Sequence, residues 1–376
     1  MRQRSKAWLL AFLCATGCAG AKSQIIPPRS EIAPSESAVI FVPGYYGSAL
    51  KEAATGERRF VTFRQMFGDD FTLALHQERM KTPPSKPLVV EGVIGTVSAV
   101  PWIKEFEGYS ETLEFLGGSF DVYPFAYDWR QDLIETASAL GALVNRLDQA
   151  GVKNVSLVAH SMGGLVAAWY LRYGTQSNFP VRETWEGARK VKRVVFAGVP
   201  FRGIMSILRN MQTGAPMYWN EKLLQQEAVS SFPSSYYLLP WPTGEFIDQA
   251  TRPAQLNARN EVEWIRNDWG LLKEEDFLDT RYRRARESFT RDMLEKSTRF
   301  LVALHAPVAS LPKDLRLVNV VGFGTATLAR GYWVKEGKQL LLRPWDVKNY
   351  DKTLEMDELH RDGDETVTVE SAELPE

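Results

Sequence analysis

The sequence predicts an α/β protein built on a mostly parallel sheet with helices on both faces, and three observations predict it. Short apolar runs recur along the chain, as expected for strands that are buried on both faces. An amphipathic helical period lies between two of these runs, with apolar residues on one face at Leu133, Ala137, Leu140, Val144 and Leu147. Strands that alternate with such helices favour parallel pairing, because a crossover helix joins each strand to the next.

The predicted strands are short apolar runs bounded by polar or turn residues: 38–42, 120–123, 155–159, 191–197, 315–321 and 339–342. Two long stretches, 50–118 and 204–300, interrupt their alternation with helices. Insertions of this size between core strands commonly carry function. The second is rich in aromatic residues, among them Trp219, Tyr236 and Trp264. It is expected to form a cap over a pocket, with an extra packing layer as the alternative.

Composition limits the classes of function. The chain has 376 residues, of which 44% are hydrophobic and 24% charged, so it can bury a sizeable core. Its 45 Lys and Arg residues against 46 Asp and Glu leave a formal charge of -1, which excludes the basic surplus that a nucleic-acid partner requires. No metal or nucleotide motif is present, so no cofactor is expected. The domain prediction is one α/β core, residues 38–203 and 301–376, with residues 204–300 inserted as the cap.

The N-terminus has the pattern of a secretory signal peptide, residues 1–17. Basic residues precede an uncharged apolar run that is too short to span a membrane: Arg2, Arg4, Lys6 and residues 7–15. Small residues then precede Cys18, which resembles the lipobox of bacterial lipoproteins, and residues 18–37 are expected to be a tether. The resemblance implies a lipidated Cys18 and anchoring in the bacterial cell envelope, with Ala19 favouring the outer membrane. The alternative is an ordinary signal peptide that is cut nearby.

The segment 155–166 carries the main chemical signal. A buried strand runs directly into a helix through Ala159-His160-Ser161-Met162-Gly163. This is the pattern of a nucleophile elbow, in which a strained turn lifts a serine above the sheet and only small side chains fit two residues before and after it. Ser161 is therefore the predicted nucleophile, and the Met162 amide is the predicted first donor of an oxyanion hole.

A second donor is expected in the loop after the first strand. That loop, residues 42–48, contains Gly44 and Gly47, which open the backbone for close approach. The amide of Tyr45 is the predicted donor. A plain strand-terminating turn is the alternative interpretation of the same residues.

These segments together resemble the lecithin:cholesterol acyltransferase family, whose members are α/β-hydrolases. The resemblance rests on ordered motifs across residues 38–371: 42–48, 123–130, 155–166, 198–203, 231–240 and 363–367. It implies an α/β-hydrolase fold, a Ser-Asp-His triad and the movement or hydrolysis of phospholipid acyl groups. Residue by residue, it implies Ser161 as nucleophile, Asp364 as triad acid, and Tyr45 and Met162 as oxyanion donors.

Two aspartates compete for the acid role. Asp364 lies in an acidic surface-like segment, which would suit a solvated turn, but its position in the motif series makes it the predicted acid. Asp128 precedes the serine in Tyr127-Asp128-Trp129-Arg130 and is expected to be a salt-bridged structural support.

The histidine departs from the family pattern. The sequence has four histidines, His76, His160, His305 and His360, and none follows Asp364. The His160 side chain is expected to point away from Ser161, because successive side chains of a strand alternate between faces. His360 could approach the site only if its loop folded back, and without a base Ser161 is a poor nucleophile. The expectation is an active enzyme type whose C-terminal end is incomplete here.

Two functions follow from these residues. The first is a lipid-anchored enzyme that forms an acyl-Ser161 intermediate from a phospholipid or other lipid ester and passes the acyl group to water or an alcohol. The second is a non-catalytic envelope lipoprotein that binds acyl chains in a retained hydrolase pocket. Labelling of Ser161 by a serine-reactive probe would distinguish them.

Overall fold

The computed structural model describes residues 23–62, 71–82, 86–97, 106–215, 220, 222–250, 252–273, 279–335, 337–342 and 344–375. The strands in chain order are β1 (Ser23–Ile26), β2 (Ser37–Val42), β3 (Ser48–Glu52), β4 (Arg58–Phe60), β5 (Leu88–Val97), β6 (Phe106–Glu107), β7 (Asp121–Pro124), β8 (Asn154–His160), β9 (Val191–Ala197), β10 (Glu245–Ile247), β11 (Arg316–Val320), β12 (Thr325–Leu328), β13 (Arg330–Val334), β14 (Gln339–Leu341) and β15 (His360–Gly363). The α-helices are α1 (Ser110–Gly117), α2 (Leu133–Gln149), α3 (Met162–Tyr173), α4 (Glu186–Lys190), α5 (Met205–Thr213), α6 (Gln226–Ser231), α7 (Pro233–Tyr237), α8 (Glu261–Arg266), α9 (Thr280–Leu304) and α10 (Pro344–Tyr350).

The central sheet has the spatial order β11-β9-β8-β2-β7, and every neighbouring pair in it is parallel. The predicted strands at 38–42, 120–123, 155–159, 191–197 and 315–321 are confirmed as these five strands. Parallel strands place their carboxyl ends along one edge, so the loops after β2, β8, β9 and β11 meet there. The predicted α/β fold with a mostly parallel sheet is confirmed.

The sixth predicted strand belongs elsewhere. Residues 339–341 form β14, which pairs antiparallel with β13 in a small sheet ordered β10-β13-β14. The assignment of 339–342 to the central sheet was therefore wrong. A short apolar run predicts burial but does not predict the partner strand. This run pairs with β13 inside a third insertion, residues 321–363, which the sequence pattern did not reveal.

The two faces of the central sheet are covered differently. Helices α2 and α3 pack together over one face, where Ile40, Leu157 and Leu140 share the main hydrophobic core. On the other face, α1 and β5 cover Phe41 of β2. On the same face as Phe41, the side chains of the outer strand β11 are not covered, since Val318 and Val320 are each 51% exposed.

The first insertion forms an antiparallel sheet ordered β1-β5-β3-β4, with β6 on β5. Its outer strand β1 pairs with β5, Ser23 opposite Val97. Residues 23–26 were assigned to the tether, so that part of the prediction was wrong. Two polar and two branched apolar residues lack a periodic signal of their own, and the partner strand lies about 70 residues further along the chain.

The second insertion, residues 204–300, contains α5 to α8 and most of α9. Its aromatic residues are largely core residues: Tyr236, Trp264 and Trp269 are at most 1% exposed, and the Tyr236 ring stacks on Trp264 at 5.7 Å. The Tyr236 hydroxyl donates to the Ser230 carbonyl oxygen. Tyr236 therefore stabilises the insertion from within, as the packing-layer alternative expects. Trp219 lies outside the described residues.

Cys18, with the signal segment 1–17, also lies outside the described residues. Among the helices of the described part, none combines the length and the apolar character that a membrane crossing needs.

Candidate active site

Ser161 lies on the turn between β8 and α3 with φ 51° and ψ -130°, outside the regions that an L-residue prefers. Its amide donates to the Ala197 carbonyl oxygen at 2.9 Å, and its carbonyl oxygen accepts from the Gly164 amide at 2.8 Å. A Cβ at Gly163 would lie 2.6 Å from the Val42 carbonyl oxygen, so this position has no room for a side chain. The strand-turn-helix geometry expected of a nucleophile elbow is therefore present at Ser161.

The loop after β2 lies against this turn. A Cβ built on Gly44 would be 2.8 Å from Ser161 Cβ and 3.3 Å from Ser161 Oγ. Within the described residues, the amides of Tyr45 and Met162 donate to no protein acceptor. Tyr45 follows Gly44 in this loop and Met162 begins α3, so these two amides remain the candidates for an oxyanion hole at Ser161.

Aromatic side chains from the segment 125–130 hold the loop in place. The Tyr127 hydroxyl donates to the Pro43 carbonyl oxygen at 2.8 Å, and Trp129 Nε1 donates to the Ser48 carbonyl oxygen at 3.0 Å. The Trp129 ring is fully buried and contacts the rings of Tyr45 and Tyr46 at 5.2 and 4.7 Å. The loop that carries the Tyr45 amide is therefore anchored in the hydrophobic core.

Asp128 has the structural role expected for it. Its Oδ2 lies 2.7 Å from Arg130 Nη2, and its Oδ1 accepts from Arg130 Nε at 2.9 Å. Arg130 is 3% exposed and also donates to the Leu73 carbonyl oxygen. The predicted salt bridge is confirmed, and both Asp128 oxygens are engaged in it.

Asp364 follows β15 at the same edge of the sheet as Ser161. Its Oδ1 accepts the amides of Thr366 and Val367 at 2.9 and 2.7 Å, which forms a turn closed by the side chain. Its Oδ2 would lie 3.3 Å from a Cβ on Gly198, the residue after β9, and accepts no hydrogen bond from the described residues. One carboxylate oxygen thus stays available beside the strand end next to Ser161.

No histidine of the described residues hydrogen-bonds to the Ser161 hydroxyl. His76 and His305 bond to the carbonyl oxygens of Thr82 and Phe201. His360 lies in β15 opposite Leu328 of β12. The geometry therefore brings together a candidate nucleophile, two candidate amides and a candidate carboxylate, and no described histidine is hydrogen-bonded to the Ser161 hydroxyl.

His160 differs from its sequence expectation. A Cβ built on Gly44 would lie 3.2 Å from His160 Nδ1 and 3.3 Å from Ser161 Oγ, so both side chains approach the same point of the loop. His160 Nδ1 also shares a hydrogen bond with the Tyr109 hydroxyl at 2.8 Å. The expectation that this side chain points away from Ser161 was wrong, because the end of β8 turns both side chains toward the loop after β2. Burial of the imidazole lowers the pKa of His160, and the carboxylate of Asp364 opposes that shift.

Tyr109 was missed by sequence reasoning. Its hydroxyl accepts the Gly44 amide at 3.0 Å while it bonds to His160, so one phenol joins the loop after β2 to the end of β8. Burial raises the pKa of Tyr109 to about 12, which keeps the hydroxyl protonated. The only sequence signal was a tyrosine between Gly108 and the first residue of α1, and that signal has no catalytic specificity.

The second insertion contacts the loop after β2 and the segment 125–130 through residues 231–237. The Tyr45 hydroxyl and Ser235 Oγ of α7 are 3.0 Å apart, and the Ser234 amide donates to the Arg130 carbonyl oxygen at 3.4 Å. Burial raises the pKa of Tyr45 well above its ordinary value. Residues 231–237 therefore pack directly behind the loop that carries the candidate oxyanion amide.

A serine on a strained strand-to-helix turn, at the carboxyl edge of a parallel sheet and beside two free amides, defines the α/β-hydrolase class. The chain belongs to the lecithin:cholesterol acyltransferase family, whose pattern matches residues 119–376. That range includes Ser161, Met162 and Asp364. Tyr45 lies outside it, so its candidate role depends on the position of its loop beside Ser161. Family membership supports a function of the acyltransferase or lipase type.

Individual relatives are more distant. An uncharacterized protein of Saccharomyces cerevisiae is 26% identical over 222 residues, which covers 57% of this chain. The chain spans about a third of that relative's length, since 31% of it is matched. Among solved structures, the Tle4-Tli4 complex aligns with 72% of each chain at 15% identity and a TM-score of 0.38. Bacillus licheniformis lipase BlEst2 aligns with 56% of this chain and 63% of its own at 16% identity, with a TM-score of 0.26.

Proposed function

We propose that this protein moves acyl groups of lipid esters through an acyl-Ser161 intermediate. The observation that carries the proposal is a serine held at φ 51°, with two amides that have no described protein acceptor, one at Tyr45 in the adjoining loop and one at Met162. Amides that lack a protein partner are costly unless water or a ligand oxygen accepts from them. An ester carbonyl oxygen above Ser161 would gain negative charge during attack and would accept both bonds.

The reaction has two halves. Ser161 Oγ attacks the ester carbonyl carbon, the oxyanion is held by the two amides, and the alcohol leaves with a proton. Water or a second alcohol then attacks the acyl-Ser161 carbonyl, which releases a fatty acid or a new ester and restores the serine. Hydrolysis and transfer differ only in this acceptor. The family supports a lipid ester as the donor, with a phospholipid as the first substrate to test.

The proton of Ser161 needs a base, and an imidazole between Ser161 Oγ and Asp364 Oδ2 would supply it. No described histidine is hydrogen-bonded to Ser161 Oγ, so the 376-residue chain is expected to react slowly. A general base contributes roughly 10²- to 10⁴-fold to such a step. Free imidazole added to the solution should therefore increase the rate at which Ser161 is acylated.

The test is a fluorophosphonate probe with and without imidazole. Labelling is expected in the unmodified chain, should rise with imidazole concentration, and should disappear in Ser161→Ala. Ser156→Ala, on the same strand, serves as the matched control and should label normally. Release of fatty acid from phosphatidylcholine vesicles under the same conditions would establish the substrate class.

The lack of a described histidine bonded to Ser161 favours a second function, the binding of acyl chains without turnover. A folded chain that neither labels at Ser161 nor releases fatty acid, with or without imidazole, would support this function and contradict the first.

The envelope location is a separate proposal, supported by the signal pattern and the Cys18 motif. Lipidation with two or more chains would hold the protein firmly at a membrane, because one chain alone binds weakly. Metabolic labelling with a fatty acid should tag the protein, and Cys18→Ser should lose the tag. An unchanged tag in that variant would contradict the anchor.

A further inference from the structure

A cavity of about 310 Å³ opens beside the candidate acid. Thr366, whose amide donates to Asp364 Oδ1, lines it, as does Arg202 from the loop that follows β9. The rest of its wall comes from the loop at 240–245, from the end of β12 and from the segment 366–371. The cavity therefore lies at the carboxyl edge of the sheet, next to the turn that contains Asp364.

Arg202 is held at this place by its backbone. Its amide donates to the Ser371 carbonyl oxygen at 3.2 Å, and its carbonyl oxygen accepts from the Trp241 amide at 2.9 Å. The Ser371 hydroxyl also donates to the Gly203 carbonyl oxygen at 2.6 Å. Two segments from different parts of the chain thus position the arginine at the cavity wall.

The guanidinium of Arg202 has no counter-charge. Its Nε is buried without a hydrogen-bond partner, and the side chain forms no ion pair with any described residue. Arg202 is half-buried at the cavity wall, so its terminal nitrogens can donate to an anion that enters the cavity. The positive charges of Arg202 and Arg259 also help burial to lower the pKa of the nearby His305.

The other charged groups on the wall leave Arg202 free. Glu245 is paired with Arg330 and lies 3.9 Å from Arg361, which itself donates to the His360 carbonyl oxygen. Glu370 is exposed, where water and salt screen its charge. The Thr366 hydroxyl makes no hydrogen bond to the described residues and is a second free donor.

We infer that this cavity binds a phosphate group through Arg202 and Thr366. A planar guanidinium fork matches two oxygens of one phosphate, and a hydroxyl can donate to a third. The volume is at the lower limit of small-molecule sites and suits a headgroup better than an acyl chain. The identification of this group as the phosphate of the ester substrate rests on the proposed function, whereas the anion site does not.

The test measures binding in a Ser161→Ala background, where no turnover occurs. Titration calorimetry with glycerophosphocholine and, separately, with inorganic phosphate should detect binding, and Arg202→Met should weaken it at least tenfold. Arg182→Gln removes one charge from the loop after α3, at the opposite end of the sheet, and should bind both probes normally. If Arg202→Met does not fold, Arg202→Lys keeps the charge but loses the planar fork of two terminal nitrogens, and should still show a clear loss.

The outcomes separate the two proposals. Binding of glycerophosphocholine that depends on Arg202 supports a lipid headgroup as the ligand. Binding of inorganic phosphate alone contradicts the headgroup but still supports an anion site at Arg202. Absence of binding, or equal binding by the Arg202 variants, overturns the site itself. Labelling of Ser161 is measured independently, so either proposal can fail without the other.

Discussion

The two loops that flank Ser161 are held in opposite ways. The loop at 43–47 is anchored from a distance: Tyr127 and Tyr109 bond to its backbone across 84 and 65 residues of sequence. The loop at 363–367 is held by its own Asp364 side chain, which accepts the amides of Thr366 and Val367, and by the neighbouring strand β12, where Thr327 Oγ1 accepts the Glu365 amide. The comparison indicates that the loop at 43–47 is anchored in the core, whereas the loop at 363–367 is an exposed turn held by its own side chain and by one neighbouring strand.

The largest expected effect is on the anchoring of the loop at 43–47. Trp129→Ala should lower the free energy of unfolding by about 3–5 kcal/mol, because it removes a fully buried ring and the bond to Ser48. Chemical denaturation measures the loss. Phe115→Ala removes an aromatic ring that is 82% exposed and should change stability by less than about 0.5 kcal/mol. Equal effects of the two substitutions would refute the core role of Trp129.

Gly44→Ala should act on reactivity more than on stability. The new methyl group would lie 2.8 Å from Ser161 Cβ, so the loop must withdraw and carry the Tyr45 amide with it. Fluorophosphonate labelling should slow by roughly tenfold or more, equivalent to about 1.4 kcal/mol in the activation free energy. Gly117→Ala, with no atom within 4 Å of its new methyl group, should label at the normal rate.

Asp364→Ala should cost less in stability than Trp129→Ala, about 0.5–1.5 kcal/mol, because it removes two hydrogen bonds on an exposed turn. Asp364→Asn keeps an oxygen that can accept the same amides and should be nearly neutral. Thermal or chemical denaturation of the pair tests whether the acid loop is locally supported. A loss near that of Trp129→Ala would show instead that the loop is coupled to the core.

The smallest expected effect is on the pH dependence of stability through His160. Its imidazole bonds to Tyr109 and interacts with the charge of Asp364. Its pKa lies below the ordinary 6.5 in the folded protein, so the unfolded chain takes up the proton first as pH falls. Stability should therefore decline as pH falls below about 6.5, and His160→Gln should reduce that slope between pH 7.5 and 5.5. His305 contributes in the same direction and leaves a residual slope.

The charge interaction between Asp364 and His160 predicts a change in the pKa of His160, which NMR titration of the imidazole would detect. Asp364→Asn removes the negative charge that favours the imidazolium, so the pKa of His160 should fall further. An unchanged titration would mean that the acid loop and the end of β8 do not interact.

Local patterns were sufficient for the five central strands and for the turn at Ser161, because burial on both faces and a small-Ser-small spacing are visible within a few residues. They could not reveal that 339–341 pairs with β13, since an apolar run carries no information about its partner strand. β1 was missed for the same reason, because its pairing with β5 depends on a tertiary approach.

The site shows the same division. Ser161 and Met162 follow from one contiguous segment, and Asp128 could be paired with Arg130 from its immediate neighbours. Tyr109 and Arg202 could not be found this way, because their roles arise where separate segments meet. The orientation of His160 was misjudged since strand alternation no longer holds at the last residue before a sharp turn.

The open edge of β11 has a practical consequence for anyone who purifies this protein. One side of β11 pairs with β9, its other side pairs with no strand of the described residues, and Val318, Val320 and Phe323 beside it are 51%, 51% and 79% exposed. Unpaired backbone groups next to apolar side chains are a template for cross-strand aggregation between molecules. Concentrated samples should therefore scatter light before they lose secondary structure. Val318→Lys should delay that scattering, because the edge strands of two molecules would then repel each other by their charge.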